Sequence, residues 1–144
     1  MRRQLSHFSR QKPCSPEIQN LFDLVNQEKI QELISFILNE QNKVWKMKKG
    51  DDITILHNSC VNDKFNLVKL IIDNIKKRLH LTPDSTLSSE EKSANEKIFK
   101  DFINAKTETE YLTALHYASF RGNIKIIKLL IENNAEVAAK SYHG

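Results

Sequence analysis

From Thr113 the chain reads TALHYASFRGNIKIIKLLIENNAEVAAKSYHG, and its apolar positions change rhythm on either side of a single glycine. Before Gly122, the small residues Ala114, Ala118 and Ser119 accompany Leu115 in a short helical stretch. After it, Ile124, Ile127, Leu130 and Ile131 recur at i, i+3, i+6 and i+7, the spacing of one apolar helical face. The pattern predicts a helix, a glycine turn and a second helix. Residues 54–72 repeat it: Thr54, Leu56, His57, Ser59 and Cys60 match the first helix, Asp63 stands at the glycine position, and Phe65, Val68, Ile71 and Ile72 match the second. A third copy begins near Gln19, with Leu21, Leu24 and Val25, then Glu28 at the turn, then Ile30, Leu33, Phe36 and Ile37. A helical pair of this size cannot bury its apolar face alone. Three copies therefore predict a linear stack in which each unit covers its neighbour.

The wording TALHYA, followed by Gly122 and IIKLL, resembles the ankyrin repeat, a unit of about 33 residues with a T-P-L-H-x-A signature. Thr113, Leu115, His116, Ala118 and Gly122 fill the matching positions, and Thr54, Leu56 and His57 fill them in the degenerate copy. Gly144 matches the family's glycine two positions ahead of a next Thr, one period after Thr113. The resemblance is clear over 113–144. It is degenerate over 52–76, where Ile55 replaces the proline and Asn58-Ser59-Cys60 replaces x-Ala-Ala, and weak over 17–38. It implies an all-α fold, an ankyrin-repeat solenoid of about three stacked helix-turn-helix units at 17–51, 52–110 and 111–144. It also implies that Thr54 with His57, and Thr113 with His116, bond to each other and to nearby backbone at a helix start. A ligand reading of the histidines has little behind it, because equivalent residues of successive units are offset by one stacking step and no Cys, Asp or Glu accompanies them at ligand spacing. No metal is expected. Cys60, at a small-residue position facing the next unit, is expected to be a buried structural thiol.

Two stretches depart from the repeat. Thr54 and Thr113 lie 59 positions apart, about 26 more than one unit. Aligning Val44, Ile103 and Val137 as hairpin openings, and Ile72 with Ile131 as helix ends, locates the excess at 77–101. This insertion opens with turn residues Thr82-Pro83-Asp84-Ser85, with its front half expected to be flexible, and Ser88-Ser89-Glu90-Glu91 then begins a short helix through Ile98, Phe99 and Phe102. Thr82-Pro83 and Ser88 with Glu91 also fit kinase sites, and the insertion is a candidate specificity or regulatory element. In the first hairpin, Trp45 stands where the family commonly has Asn, among Lys43, Lys46, Lys48 and Lys49. Two environments remain open for Trp45: exposed on a projecting tip, where the resemblance implies partner contacts, or packed beneath the adjacent loop with the lysines solvated. With Tyr111 and Tyr142, these residues make up the candidate partner-binding set.

The net charge of +4 is unevenly spread. Residues 1–16 and 43–50 hold eight cations and no acid; removing those eight from the chain's 22 leaves 14 against 18 acids. Such patches fit anionic lipid or nucleic acid, yet a body of opposite sign argues against a dedicated nucleic-acid binder. Residues 1–16 lack the apolar core of a secretory signal; they share Arg and Ser without acid with mitochondrial transit peptides, and are read as a basic disordered tail. No run approaches the roughly 18 apolar residues of a membrane span. Two cysteines without CxxC spacing point to an intracellular, cytoplasmic protein. With three glycines and no G-x-S-x-G or Cys/His dyad, no catalysis and no cofactor are expected. Ser15-Pro16-Glu17 and the polar Gln19, Asn20, Asp23 and Asn26 close the front of the array, whereas the last unit has too few polar residues to face water. The protein is therefore expected to continue past residue 144 or to self-associate. The expected function is a non-catalytic protein–protein interaction scaffold for an unidentified protein partner. Alternatives are the targeting module of a larger enzyme or channel whose catalytic part follows residue 144, and an anionic lipid or nucleic-acid binder acting through 43–50.

Overall fold

The Ser15 hydroxyl accepts the Ile18 amide, and with Pro16 at the first helical position and Glu17 in the first turn it starts helix α1 (Pro16–Asn26). The computed structural model describes residues 14–141, and among them seven α-helices and no strand are formed. They are α1, α2 (Ile30–Leu38), α3 (Ile55–Val61), α4 (Phe65–Arg78), α5 (Ser89–Ile103), α6 (Ala114–Arg121) and α7 (Ile124–Glu132), with a 3-10 turn at Val44–Lys46. First helices α1, α3 and α6 pack in one row and second helices α2, α4 and α7 in a parallel row. Each pair thus packs mainly on its neighbours, as in a solenoid.

The repeated apolar positions build a single continuous core. Leu33 and Ile37 of α2, Val68, Ile71 and Ile72 of α4, and Ile126 and Leu130 of α7 are all buried. The apolar face of α7 is covered only in part: Leu130 is buried and Ile127 half-buried, but Ile124 is 64% and Ile131 44% exposed, whereas Ile72, at the position equivalent to Ile131, is fully buried. The middle pair has a neighbour on each side and the last described pair has one. Val137 repeats the contrast, 70% exposed where its counterparts Val44 and Ile103 are buried.

The turns between paired helices use left-handed backbone in every copy, at Glu28 (φ 51°), Asp63 (φ 58°) and Gly122 (φ 68°). Asp63 can stand in for glycine because Asp tolerates this region better than most residues, and its carboxylate accepts from the Asn123 side chain of the next pair. Asn58 donates to Asn26 at 2.7 Å across the preceding junction.

The insertion is largely ordered helix. Ser88 and Glu91 form a capping box at the start of α5, and Phe99, Phe102 and Ile103 at its end enter the shared core. Asn95 ties it back by donating to the Leu79 carbonyl at 2.8 Å.

Candidate functional site

Both histidines sit three residues into a first helix and close capping boxes with Thr54 and Thr113. The Thr54 amide donates to His57 Nδ1 at 3.1 Å, which fixes the tautomer: Nδ1 holds the lone pair, and Nε2 carries the proton and donates it to the carbonyls of Ala105 (2.9 Å) and Leu112 (3.1 Å). His57 thereby joins its own helix to the next loop, across the whole insertion. Burial holds its pKa below the usual 6.5, partly offset by the two carbonyl acceptors. His116 receives the Thr113 amide at 2.9 Å in the same way, but no described residue accepts from its Nε2. Each imidazole is engaged by the Thr that caps its own helix, His57 by the next loop as well, and among the described residues no group of three or more His, Cys, Asp or Glu is gathered around a metal-sized space. Cys60 is buried and its thiol is pushed up to about 12 by desolvation, so it stays protonated and unreactive at neutral pH.

The loops between units form one edge of the stack. In the first, Lys49 and Ile53 exchange both backbone hydrogen bonds, at 2.9 and 3.0 Å, around Gly50 at φ 61°. Asp51 then reaches the second loop: its carbonyl accepts from the Glu108 amide at 3.0 Å, and its carboxylate accepts from the amide and hydroxyl of Thr109 at 2.9 and 2.8 Å. Asn104 links the second loop to the third, donating to the Asn134 carbonyl at 3.1 Å and accepting from the Glu136 amide at 2.7 Å. The edge is therefore pinned at each junction. Tyr111, half exposed, is held at φ 55°, a conformation that disfavours an aromatic side chain, and Asp52 holds the equivalent position two residues ahead of Thr54 at φ 59°.

Trp45 occupies the position that Asn104 fills one unit later, and it does something different there. It is half buried against the core, the Arg78 guanidinium carbon lies 5.4 Å from its ring centroid, and its 3-10 turn packs on α5. Both environments left open by the sequence are thus partly realised. Lys43, Lys46 and Lys48 are exposed, whereas Lys49 is half buried with its ammonium 5.7 Å from the Phe22 ring. Trp45 and Lys46 and Lys48 are brought together. Tyr111 lies on the next loop, and Tyr142 falls outside the described residues, as does most of the basic segment 1–16. Sequence reasoning missed Ile98 and Phe102 as site residues: they line a recess with Trp45, Lys46 and Lys48. Their helical spacing was visible, but their docking against the Trp45 turn was not.

Stacked helix pairs joined by pinned loops define a repeat solenoid. A family model for ankyrin repeats matches residues 21–141 in three copies, and the chain belongs to that family. No curated protein matches the sequence significantly. Among solved structures it is similar to a chain in the crystal structure of the yeast ribosomal protein Rps3 in complex with its chaperone Yar1. The TM-score is 0.67 at 23% identity, covering 92% of this chain and 81% of that one. That likeness is one of fold. No helix among the described residues is long and apolar enough to cross a membrane.

Proposed function

We propose that the protein is a non-catalytic interaction scaffold of the intracellular, cytoplasmic space that holds a protein partner along its loop edge. The observation that carries this reading is the pinned edge itself. Asp51 and Asn104 fix successive loops, so the Trp45 turn, its lysines and Tyr111 project from backbone that has little further entropy to lose on binding. A lack of catalysis fits the committed imidazole of His57 and the protonated thiol of Cys60. The neighbour solved with a chaperone and its client is consistent with protein binding by this fold. The same reading takes residues 1–16 as a basic tail and repeats at 17–51, 52–110 and 111–144, with a further unit covering Ile124, Ile131 and Val137. The test is a photo-crosslinking residue placed at Lys46, at Tyr111 or at Lys69 on the outer face of α4 in the full 144-residue chain. A discrete protein crosslinked from Lys46 or Tyr111 and absent from Lys69 supports the reading. Crosslinks to nucleic acid or lipid alone, or to protein from Lys69 alone, overturn it.

A further inference from the structure

The two departures from the repeat pattern meet in space. The insertion contributes Ile98, Asp101 and Phe102 of α5, the first loop contributes Trp45, Lys46 and Lys48, and between them is a recess of about 410 Å³. That volume is within the roughly 300–1,000 Å³ of ordinary ligand sites. Its floor is apolar, with Phe102 buried and Trp45 and Ile98 half exposed. Its rim is basic. Lys46 and Lys48 line it and Lys43 precedes it. Arg78 is not part of the lining; it backs the Trp45 indole at 5.4 Å while its Nη2 donates to the Glu40 carbonyl at 2.8 Å. The acids nearby are already engaged: Asp101 pairs with Lys97 at 2.9 Å, and Asp51 is held by Thr109. A unit of family length, lacking the insertion, would have no α5 to form the second wall.

We propose, resting on the scaffold reading above, that this recess is the anchor site for an acidic segment of a partner protein carrying one bulky apolar side chain. The apolar side chain fills the space between Trp45, Ile98 and Phe102, removing half-exposed apolar surface from water, while flanking carboxylates meet Lys46 and Lys48. A bare phosphate would satisfy the rim and leave the floor empty, and a base stacked on Trp45 would leave Ile98 and Phe102 uncovered, so an aliphatic or aromatic side chain between carboxylates matches floor and rim together. The recess also gives the insertion a purpose that the stack alone does not require.

Trp45 is the chain's only tryptophan, so its fluorescence reports on this recess alone. The probes are ten-residue peptides of Asp and Glu with a central Phe, Leu or Trp analogue that does not fluoresce at the same wavelength. Controls are the all-acidic peptide, a ten-residue oligothymidylate and vesicles containing phosphatidylinositol bisphosphate. The expected result is a saturable emission shift with a peptide bearing the apolar residue, at least about tenfold tighter than the all-acidic control. Lys46→Glu with Lys48→Glu should weaken it by about tenfold or more and remove its salt dependence. Ile98→Glu, at a half-exposed helical site where Glu is well tolerated, should remove the preference for the apolar residue while helix content is retained. Equal binding of the all-acidic peptide, tighter binding of the oligonucleotide or vesicles, or no shift up to about 1 mM would overturn the proposal. Protein crosslinks from Tyr111 that survive Ile98→Glu and the double charge reversal would sink the recess and leave the scaffold reading standing.

Discussion

His57 and His116 occupy the same position in the same motif, yet they carry different loads. Replacing either with Ala removes a capping interaction, a loss of about 1 kcal/mol. At His57 the change also strips the half-buried Ala105 carbonyl of its donor and removes a buried bond to the Leu112 carbonyl, so His57→Ala should cost about 2–4 kcal/mol and His116→Ala about 1 in urea unfolding. Equal losses would mean that the bridge across the insertion contributes nothing. The pH dependence follows from the same geometry. His57 binds its proton less readily when folded than its ordinary 6.5, because burial disfavours the cation and Nδ1 is occupied by the Thr54 amide. The unfolded chain therefore takes up a proton first as pH falls. Stability is fully present above pH 6.5 and is lost below it, with a slope approaching about 1.4 kcal/mol per pH unit until the folded pKa is reached. Subtracting the profile of His57→Ala from that of the native chain isolates this slope, and a flat difference between pH 7 and 5 contradicts it.

At the scale of elements, α5 decides whether the insertion is an appendage or part of the fold. Phe99, Phe102 and Ile103 are almost fully buried at its C-terminal end, while its first two turns are exposed apart from the Asn95 contact to Leu79. Phe102→Ala should therefore destabilise the whole stack by about 3–5 kcal/mol, and Ser88→Ala at the exposed capping box by only about 0.5–2. Comparable small costs, measured by denaturant unfolding, would detach the helix from the core. Much of α5 was legible before the structure: Ser88-x-x-Glu91 is a start signal, and Ile98, Phe99 and Phe102 have helical spacing. Its docking against the Trp45 turn was not legible. Local periodicity reports which residues seek burial, and it has no term for a contact between residues more than 50 positions apart. The left-handed turns were legible in the same way: Glu28 and Asp63 align with Gly122, and Asp52 and Tyr111 stand two positions ahead of Thr54 and Thr113, where the repeat pattern has its other glycine. The register thus marked positions that the residue types alone, Tyr111 above all, did not.

Across the whole molecule, the cost of a substitution depends on where its unit stands in the line. Ile72 and Ile131 are the same residue at the same position of equivalent helices, α4 and α7, and their side chains differ by 44% in exposure. In a compact globule such a difference would reflect local sequence. Here it reflects neighbours, because α4 packs on α2 and α7, whereas α7 packs on α4 and α6 with its far side open. Ile72→Ala should cost about 2–5 kcal/mol, the range for a buried Ile, and Ile131→Ala less than about 1 in the 144-residue chain. The comparison also tests the proposed further unit, since whatever covers α7 would turn Ile131 into a second Ile72. Extending the chain by one ankyrin pair should raise the cost of Ile131→Ala toward that of Ile72→Ala. If the two costs are already equal in the 144-residue chain, the open face is covered by another copy. The unfolding midpoint of that chain would then fall on dilution.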